Sequence, residues 1–416
     1  MRYFCSGNIE IRHGDCITEM QSMEENRFSS IVTDPPYGLS FMGKAWDHGV
    51  PGSPFWTEAL RVCKPGAMLL AFGGTRTFHR LTCAIEDAGW EIRDCIMWVY
   101  GSGFPKSLDI AKAIDKSEGA IRECTRPGTV QRDGYGEDWD TGSSSSRPRF
   151  DSPVTDLAKR WMGWGTALKP AWEPIIVAMK PPDGTFAENA KKHEVAGINI
   201  DSSRITAPDG VPVFNQKSER SVNCLGSGLN GSSRTGDIDT STGRWPANLI
   251  HDGSDEVLET FPDAPRQLAD LKFGGDHPTG NCYSPRKRVN KPSYNDENEG
   301  NVGFKMKPGA RRTDSGSAAR FFYCAKASRS DRGLSNNHPT VKPSALMEYL
   351  IRLISPPTGG EILDPFGGSM TTLVSAQRCG VSAVGIDIEE SHCAIGASRL
   401  GKPKRMPPRW TIPVPL

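Results

Sequence analysis

Apolar positions along this chain follow two rhythms. Short apolar blocks bounded by Gly, Pro or Asp alternate with stretches whose apolar residues recur every three or four positions. Two short apolar runs within residues 8–33 flank a polar stretch of helical character. The second ends in Ile31-Val32, just ahead of Thr33-Asp34-Pro35-Pro36-Tyr37. After a loop-like stretch from Gly38 to Pro54, Phe55 to Val62 reads as a helix stopped by Lys64-Pro65-Gly66. Ala67 to Phe72 then reads as a buried strand closed by Gly73-Gly74. A helix over Thr77 to Ala88, an alternating strand over Glu91 to Tyr100 and a strand over Pro174 to Met179 follow. Between 181 and about 320 the rhythm lapses, and only 197–201 and 243–250 look ordered. It returns at Arg320 to Cys324, with an amphipathic helix over 344–354 and a strand ending at Asp364. A Gly-rich loop, a helix to Cys379, a strand over Ser382 to Asp387 and a last helix through Leu400 complete the pattern. Strands alternating with helices predict α/β layers around a mostly parallel sheet.

Composition narrows the class. At 416 residues the chain is too long for one simple core and predicts a large domain carrying an insert or appendage. Hydrophobic residues at 37% and charged residues at 24% describe a soluble globular protein. No apolar run nears the ~20 residues that span a bilayer, and Met1-Arg2-Tyr3-Phe4-Cys5 has no signal-peptide character. Eleven cysteines without a C-x-x-C pair predict free thiols in a reducing cytosol, and eight scattered histidines predict no metal site. A net charge of +1 confines any nucleic-acid contact to local patches. Residues 285–312 form one such patch, with eight Lys/Arg against three acids, a local net of +5. Its two readings are a solvated loop and a phosphate-contact surface.

Two stretches carry chemistry. In the first, proline fixes φ and holds the preceding residue extended, so Asp34 and Pro35 present a carboxylate and a carbonyl at a strand end, with the flat face of Tyr37 beside them. That set suits a planar group bearing an –NH2, although an ordinary strand-ending turn accounts for the tetrapeptide equally well. In the second, the Gly-loop after Asp364 leads through a helix to a strand ended by Asp387, 20 residues past Gly367. This is the spacing of a carboxylate that binds ribose hydroxyls. No Walker lysine follows the loop and its glycines are not G-x-G-x-x-G, which favours a phosphate-free nucleoside cofactor such as S-adenosyl-L-methionine.

Asp34-Pro35-Pro36-Tyr37 together with Asp364-Pro365-Phe366-Gly367-Gly368-Ser369 resembles the amino-group DNA methyltransferases of the β arrangement. Gly14-Asp15 and His338-Pro339-Thr340-Val341-Lys342-Pro343 also resemble motifs of that family. Tyr100 to Lys106 and Ala167 to Pro174 are similar, more loosely, to phage and prophage modification methylases. The resemblance implies a Rossmann-like S-adenosyl-L-methionine-dependent fold, with a catalytic half over 1–180, a target-recognition region over 181–320 and a cofactor-binding half over 321–416. It implies methylation of the adenine amino group in duplex DNA, in the cytoplasm, and admits a cognate restriction endonuclease; it is silent on oligomeric state. Asp34, Pro35, Pro36 and Tyr37 would form the catalytic turn. Asp15 would meet the cofactor adenine, Thr340 and Lys342 would border its pocket, and Asp387 would hold its ribose. Asp364, Phe366, Gly367, Gly368, Ser369 and Thr371 would line it. The basic residues Arg286, Lys287, Arg288, Arg311 and Arg312 become DNA-contact candidates.

Neighbouring activities fit less well. Methylation at the 5-carbon of cytosine uses a cysteine typically preceded by proline, and no Pro-Cys dipeptide occurs. The cytosine amino group calls for the same chemistry, but that motif more often begins with Ser. A non-catalytic DNA-binding module would have no reason to keep both Asp34 and Asp387. One departure stands out: Met370 occupies a position where the family usually has Gly; a side chain there could narrow the methionine end of the pocket, but with Gly367, Gly368, Ser369 and Thr371 in place it reads as tolerated variation. If the basic patch meets phosphate, replacing Arg286, Lys287 and Arg288 with Ala will flatten the salt dependence of DNA affinity by ~0.9 log units per lost contact. An unchanged slope in binding titrations would assign the patch to solvated surface.

Overall fold

The computed structural model describes residues 1–39, 49–103, 107–122, 152–206, 243–264, 316–325 and 341–401, and two further strands as backbone alone. In chain order the elements are β1 (Arg2–Ser6), β2 (Ile9–His13), α1 (Cys16–Gln21), β3 (Phe28–Thr33), α2 (Ser53–Val62), β4 (Cys63–Phe72), α3 (Phe78–Asp87) and β5 (Glu91–Val99). Then come α4 (Ile110–Ser117), α5 (Asp156–Arg160), β6 (Trp172–Met179), α6 (Phe186–His193), β7 (Val211–Asn215), β8 (Thr235–Asp239), β9 (Leu249–His251) and α7 (Asp255–Leu258). The last are β10 (Tyr323–Cys324), α8 (Ser344–Ile354), β11 (Glu361–Asp364), α9 (Thr371–Cys379), β12 (Ser382–Asp387) and α10 (Glu390–Leu400).

Among the described residues, ten strands form one sheet in the order β1-β2-β12-β11-β3-β4-β6-β5-β9-β10, while β7 and β8 pair separately. The run β2-β12-β11-β3-β4 is parallel throughout; β6 runs antiparallel between β4 and β5, and β1 is an antiparallel edge. Central parallel strands are covered on both faces and so read as near-continuous apolar runs. Val32, Leu70, Phe72 and Ile362 pack under α8 and α9 on one face; Ile31, Leu69, Ala71 and Leu363 pack under α1, α2 and α3 on the other. The result is the three-layered Rossmann-like arrangement that the alternation of elements predicts.

Some differences from the sequence reading have local causes. Eight of the eleven residues of α8 are buried, so this helix is less amphipathic than its pattern suggests. β4 starts at Cys63, so Lys64-Pro65-Gly66 lies inside a strand as well as ending a helix. The irregular register there is held by buried Asn189 of α6, whose amide donates to the Pro65 and Val195 carbonyls at 2.9 and 2.5 Å. From the stretch assigned to target recognition, β9 joins the main sheet, and β10, just inside the stretch assigned to the cofactor, pairs with it. The compact unit that separates is Ser102–Ala171, carrying α4 and α5. Within it Asp115 accepts hydrogen bonds from the Val154 and Thr155 N–H groups, the Thr155 hydroxyl and Arg122. Burial works against that charge, but the four donors hold the carboxyl well below the usual range.

β3 and β11 are adjacent and parallel, so the proline turn and the Gly-loop leave the same edge of the sheet although some 330 residues separate them in sequence. Ligands of open α/β sheets bind in the crevice beyond such carboxyl ends. Met370 sits at φ +59° and its side chain is fully buried. That side chain packs into the core. A Cβ built on Gly385 would lie 2.8 Å from its sulfur, and Cβ atoms on Gly367 and Gly396 would collide with it as well. Three glycines thus make the slot it fills. The left-handed backbone costs roughly 1–2 kcal/mol, while burying a methionine contributes about 1.5–3 kcal/mol, so burial offsets the strain. Gly396→Ala should destabilise by about 1–3 kcal/mol through overpacking, and Met370→Ala by about 2–5 kcal/mol through the void it leaves. In urea denaturation the double variant should lose less than the sum. Additive losses would show that the slot and the methionine are independent.

Candidate active site

β3 delivers Asp34 at its end, and the turn is pinned from behind. The Thr77 hydroxyl donates to the Tyr37 carbonyl at 2.7 Å, and the Tyr37 ring packs on Gly74, where a Cβ would stand 3.2 Å from it. The Tyr37 hydroxyl lies 2.9 Å from Asp34 Oδ1 and 3.1 Å from Glu173 Oε2. Lys342 enters from the segment before α8. Its Nζ is 3.1 Å from Asp34 Oδ2, 2.9 Å from Glu173 Oε2 and 3.0 Å from the Tyr37 hydroxyl, so three N–H donors meet three oxygens. The ammonium also lies over the Phe72 and Tyr37 rings, 4.8 and 5.3 Å from their centres. At the end of β5, the Tyr100 hydroxyl reaches Glu173 Oε1 at 3.4 Å.

Electrostatics follow from this packing. Burial pulls the Lys342 ammonium towards neutrality, but the Asp34 and Glu173 carboxylates outweigh it and hold its pKa above the ordinary lysine value. Burial first, then the same carboxylates, push the Tyr37 hydroxyl well above its usual range; Tyr100 is raised by burial and by Glu173. Both phenols therefore stay protonated. Two carboxylates and one ammonium leave the cluster a net charge of −1. Glu173 and Tyr100 lie in stretches singled out in the sequence, but neither has a role there. The available signal is an acid at the start of the apolar strand Trp172 to Met179.

The Gly-loop residues are tied largely to one another. Gly367 N–H donates to the Ile386 carbonyl at 2.8 Å, Gly368 N–H to Asp387 Oδ2 at 2.7 Å and Met370 N–H to the Gly367 carbonyl at 2.7 Å. The other Asp387 oxygen accepts from Glu389 N–H at 2.8 Å and faces His392 Nδ1 at 3.1 Å. Asp15 caps α1, accepting from the Thr18 N–H and hydroxyl at 3.0 Å, and Gly14 N–H donates to the Asp387 carbonyl, which brings the two acids to one edge. Phe366 packs against Phe55 and Trp56. Ser369 and Thr371 are buried, with their hydroxyls on Arg399 at 3.1 and 3.0 Å. Asp364 is buried behind the loop, accepting from Thr33 at 2.7 Å and from Phe366 N–H at 3.2 Å. Burial pushes its carboxyl up to about 6 despite the Thr372 and Thr33 hydrogen bonds. Thr340, His338 and Pro339, Phe104 to Lys106, and the basic residues Arg286, Lys287, Arg288, Arg311 and Arg312 lie outside the described residues.

These observations test which cofactor the crevice suits. With three loop N–H groups already donating inside the protein, the loop offers no ready phosphate cradle. Acids at Asp15 and Asp387, at one edge, suit a phosphate-free nucleoside, which S-adenosyl-L-methionine is. Among the described residues, no cluster of His, Cys, Asp and Glu could hold a metal ion, and no helix is long and apolar enough to cross a membrane.

Known proteins resemble the chain. The type II methyltransferase M.HindIII of Haemophilus influenzae is 24% identical over 238 residues, 46% of this chain and 65% of that protein. The DNA adenine methyltransferase YhdJ of Escherichia coli is 44% identical over 64 residues, 15% of this chain and 21% of that protein. The chain thus spans less than two thirds of the length of these relatives. The solved PvuII DNA methyltransferase, cytosine-N4-specific, aligns over 95% of this chain and 88% of its own at 14% identity, with a TM-score of 0.40. The DNA methylase family model (N6_N4_Mtase) matches residues 28–398, taking in both the proline turn and the Gly-loop. The chain belongs to the DNA methylase family.

Proposed function

We propose that this chain transfers a methyl group from S-adenosyl-L-methionine to the exocyclic amino group of adenine in duplex DNA. The observation that carries this reading is the placement of Asp34 and the Pro35 carbonyl beside the Gly-loop at one sheet edge. The adenine amino nitrogen is a poor nucleophile because its lone pair is delocalised into the ring. Asp34 accepting one amino hydrogen and the Pro35 carbonyl the other would draw the nitrogen towards tetrahedral geometry and free that lone pair. S-adenosyl-L-methionine supplies a methyl group on a sulfonium centre, open to in-line displacement. Positioning and charge complementarity do the rest, with no covalent enzyme intermediate. The net negative cluster favours the positive charge that passes to the nitrogen. Lys342 offsets the mutual repulsion of the two carboxylates, with its ammonium within hydrogen-bond distance of both.

Supporting residues have roles in this reading. The Tyr37 ring offers a face for the base, Asp387 with Asp15 borders the nucleoside, and Phe366 with Gly367 and Gly368 lines it. Asp364, Ser369 and Thr371 act from behind, as fasteners of the loop. A base within a duplex cannot reach the turn, so flipping is required at a cost of roughly a few kcal/mol. Adenine is favoured by Asp at the head of Asp34-Pro35-Pro36-Tyr37 and by the likeness to a DNA adenine methyltransferase. Such an enzyme works on DNA in the cytoplasm, alone or paired with a restriction endonuclease, and residues 181–320 would supply target recognition.

Asp34→Ala should abolish transfer of a tritiated methyl group to adenine in duplex DNA while calorimetric cofactor affinity is retained. Near-normal transfer by a folded Asp34→Ala protein would remove the reading, and label on cytosine would move it to the other amino base. Lys342→Met should cost somewhat less than about 3 kcal/mol, since its carboxylate partners keep some solvation. The sign of its pH dependence follows. A raised lysine pKa contributes stability fully below the free value of 10.5 and loses it only above. The variant's deficit should therefore hold steady through neutral pH and shrink only as pH rises past 10.5. Melting temperatures of both proteins, followed upward from neutral pH through that value, check this; a gap that closes well below 10.5 would contradict it.

A further inference from the structure

The Tyr37 hydroxyl lies within hydrogen-bond distance of both Asp34 and Glu173, and the hydrogen bonds among the three residues can be counted. Tyr37 Oη has two lone pairs and one proton. Lys342 donates into one lone pair at 3.0 Å, leaving a single proton for two carboxylates, Asp34 Oδ1 at 2.9 Å and Glu173 Oε2 at 3.1 Å. With both acids ionised, Tyr37 donates to the nearer, Asp34, while Glu173 is served by Lys342 at 2.9 Å and Tyr100 at 3.4 Å. With one proton added at Asp34, every group is again satisfied if that proton points at Tyr37 and the Tyr37 proton turns to Glu173. The network has two complete states that differ by one proton.

We propose that the proton released by the newly methylated amino group passes from Asp34 through the Tyr37 hydroxyl to Glu173, which hands it to water. This rests on the amino-methylation reading of the site and adds the fate of the proton. The balance closes. Breaking the carbon–sulfur bond and forming the carbon–nitrogen bond moves one positive charge onto the base nitrogen. Asp34 takes a proton from that nitrogen, Tyr37 Oη takes the proton from Asp34 as its own passes to Glu173, and the base is left neutral. The cluster goes from −1 to zero. No oxidant, reductant or tyrosinate is needed, and the raised Tyr37 phenol argues against ionisation at any step. The route matters because a base seated at the turn would cover Asp34, whose side chain is 26% exposed, and would leave Glu173, 20% exposed, as the carboxylate from which the proton reaches water.

The groups facing Glu173 are Tyr37 after β3, Tyr100 after β5 and Lys342 before α8; Asp34 lies one hydrogen bond further, with Asp364 behind it. Glu173 touches no reacting atom and acts through Tyr37 and Asp34 as a positioning and relay residue. The Lys342 ion pair is compatible with a purely structural role as well, so the test must separate the two. Glu173→Gln keeps shape and hydrogen bonding but cannot take a proton, and Tyr37→Phe keeps the ring but cuts the path.

Steady-state methyl transfer to duplex DNA by the full chain, with calorimetric cofactor affinity in parallel, decides the matter. Each variant should lose about a hundredfold in kcat at unchanged cofactor affinity, within the range of a lost proton-transfer partner. The Glu173→Gln/Tyr37→Phe double variant should be no slower than the slower single, because links in series fail together. Formate should partly restore turnover to Glu173→Ala, and chloride should not. Wild-type turnover in Glu173→Gln, losses that multiply in the double variant, or a cofactor-binding Glu173→Ala indifferent to formate would each overturn the relay. A wild-type protein that methylates no amino base would instead remove the underlying reading, whatever the variants do.

Discussion

Three N–H donors on Lys342 meet oxygens from Asp34, Tyr37 and Glu173, and the order of the candidate site depends on that match. Two carboxylates this close repel each other and invite a proton, while a buried ammonium alone pays a desolvation cost of several kcal/mol. Each is tolerable only because the others are present. The cluster also ties together distant parts of the chain: the end of β3, the start of β6 and the segment before α8. Its residual charge of −1 faces the crevice in which the proposed reaction moves a positive charge.

A second tie lies one layer deeper. Thr33 and Asp364 end neighbouring parallel strands and meet at 2.7 Å, and the same carboxylate accepts from the Phe366 N–H. The turn that would hold the amino group and the loop that would hold the cofactor are thereby fixed to one buried acid. Displacement of either by an ångström would reach the other, and in-line transfer is sensitive to that scale of misplacement. Asp364, 2% exposed, thereby ties the geometry of the turn to that of the loop.

Periodicity made the fold legible because the central strands are covered on both faces. Ala67 to Phe72 and Ser382 to Asp387 read as continuous apolar runs and form β4 and β12. The turn and the loop were legible because proline and glycine constrain backbone locally. What the sequence concealed is non-local. Glu173 looks like any acid at a strand start, and only the pairing of β6 with β4 and β5 carries it to Tyr37 and Lys342. The contacts of the Lys342 ammonium with Asp34 and Glu173 are non-local in the same way: a motif records neighbours in sequence, not the direction of a long side chain.

Met370 shows how a departure from a family pattern is accommodated. A residue larger than glycine beside a nucleotide loop suggests a blocked pocket, but at φ +59° the side chain leaves the loop towards the core. The space it enters is made by Gly367, Gly385 and Gly396, which lie in a loop, a strand and a helix and share no motif. Those glycines would otherwise leave a void, and voids lined by apolar atoms are costly. The methionine and the glycines therefore specify one another. Because the slot closes the Gly-loop onto β12 and α10, the departure at Met370 shapes the cofactor side of the crevice from beneath, through packing, without entering it.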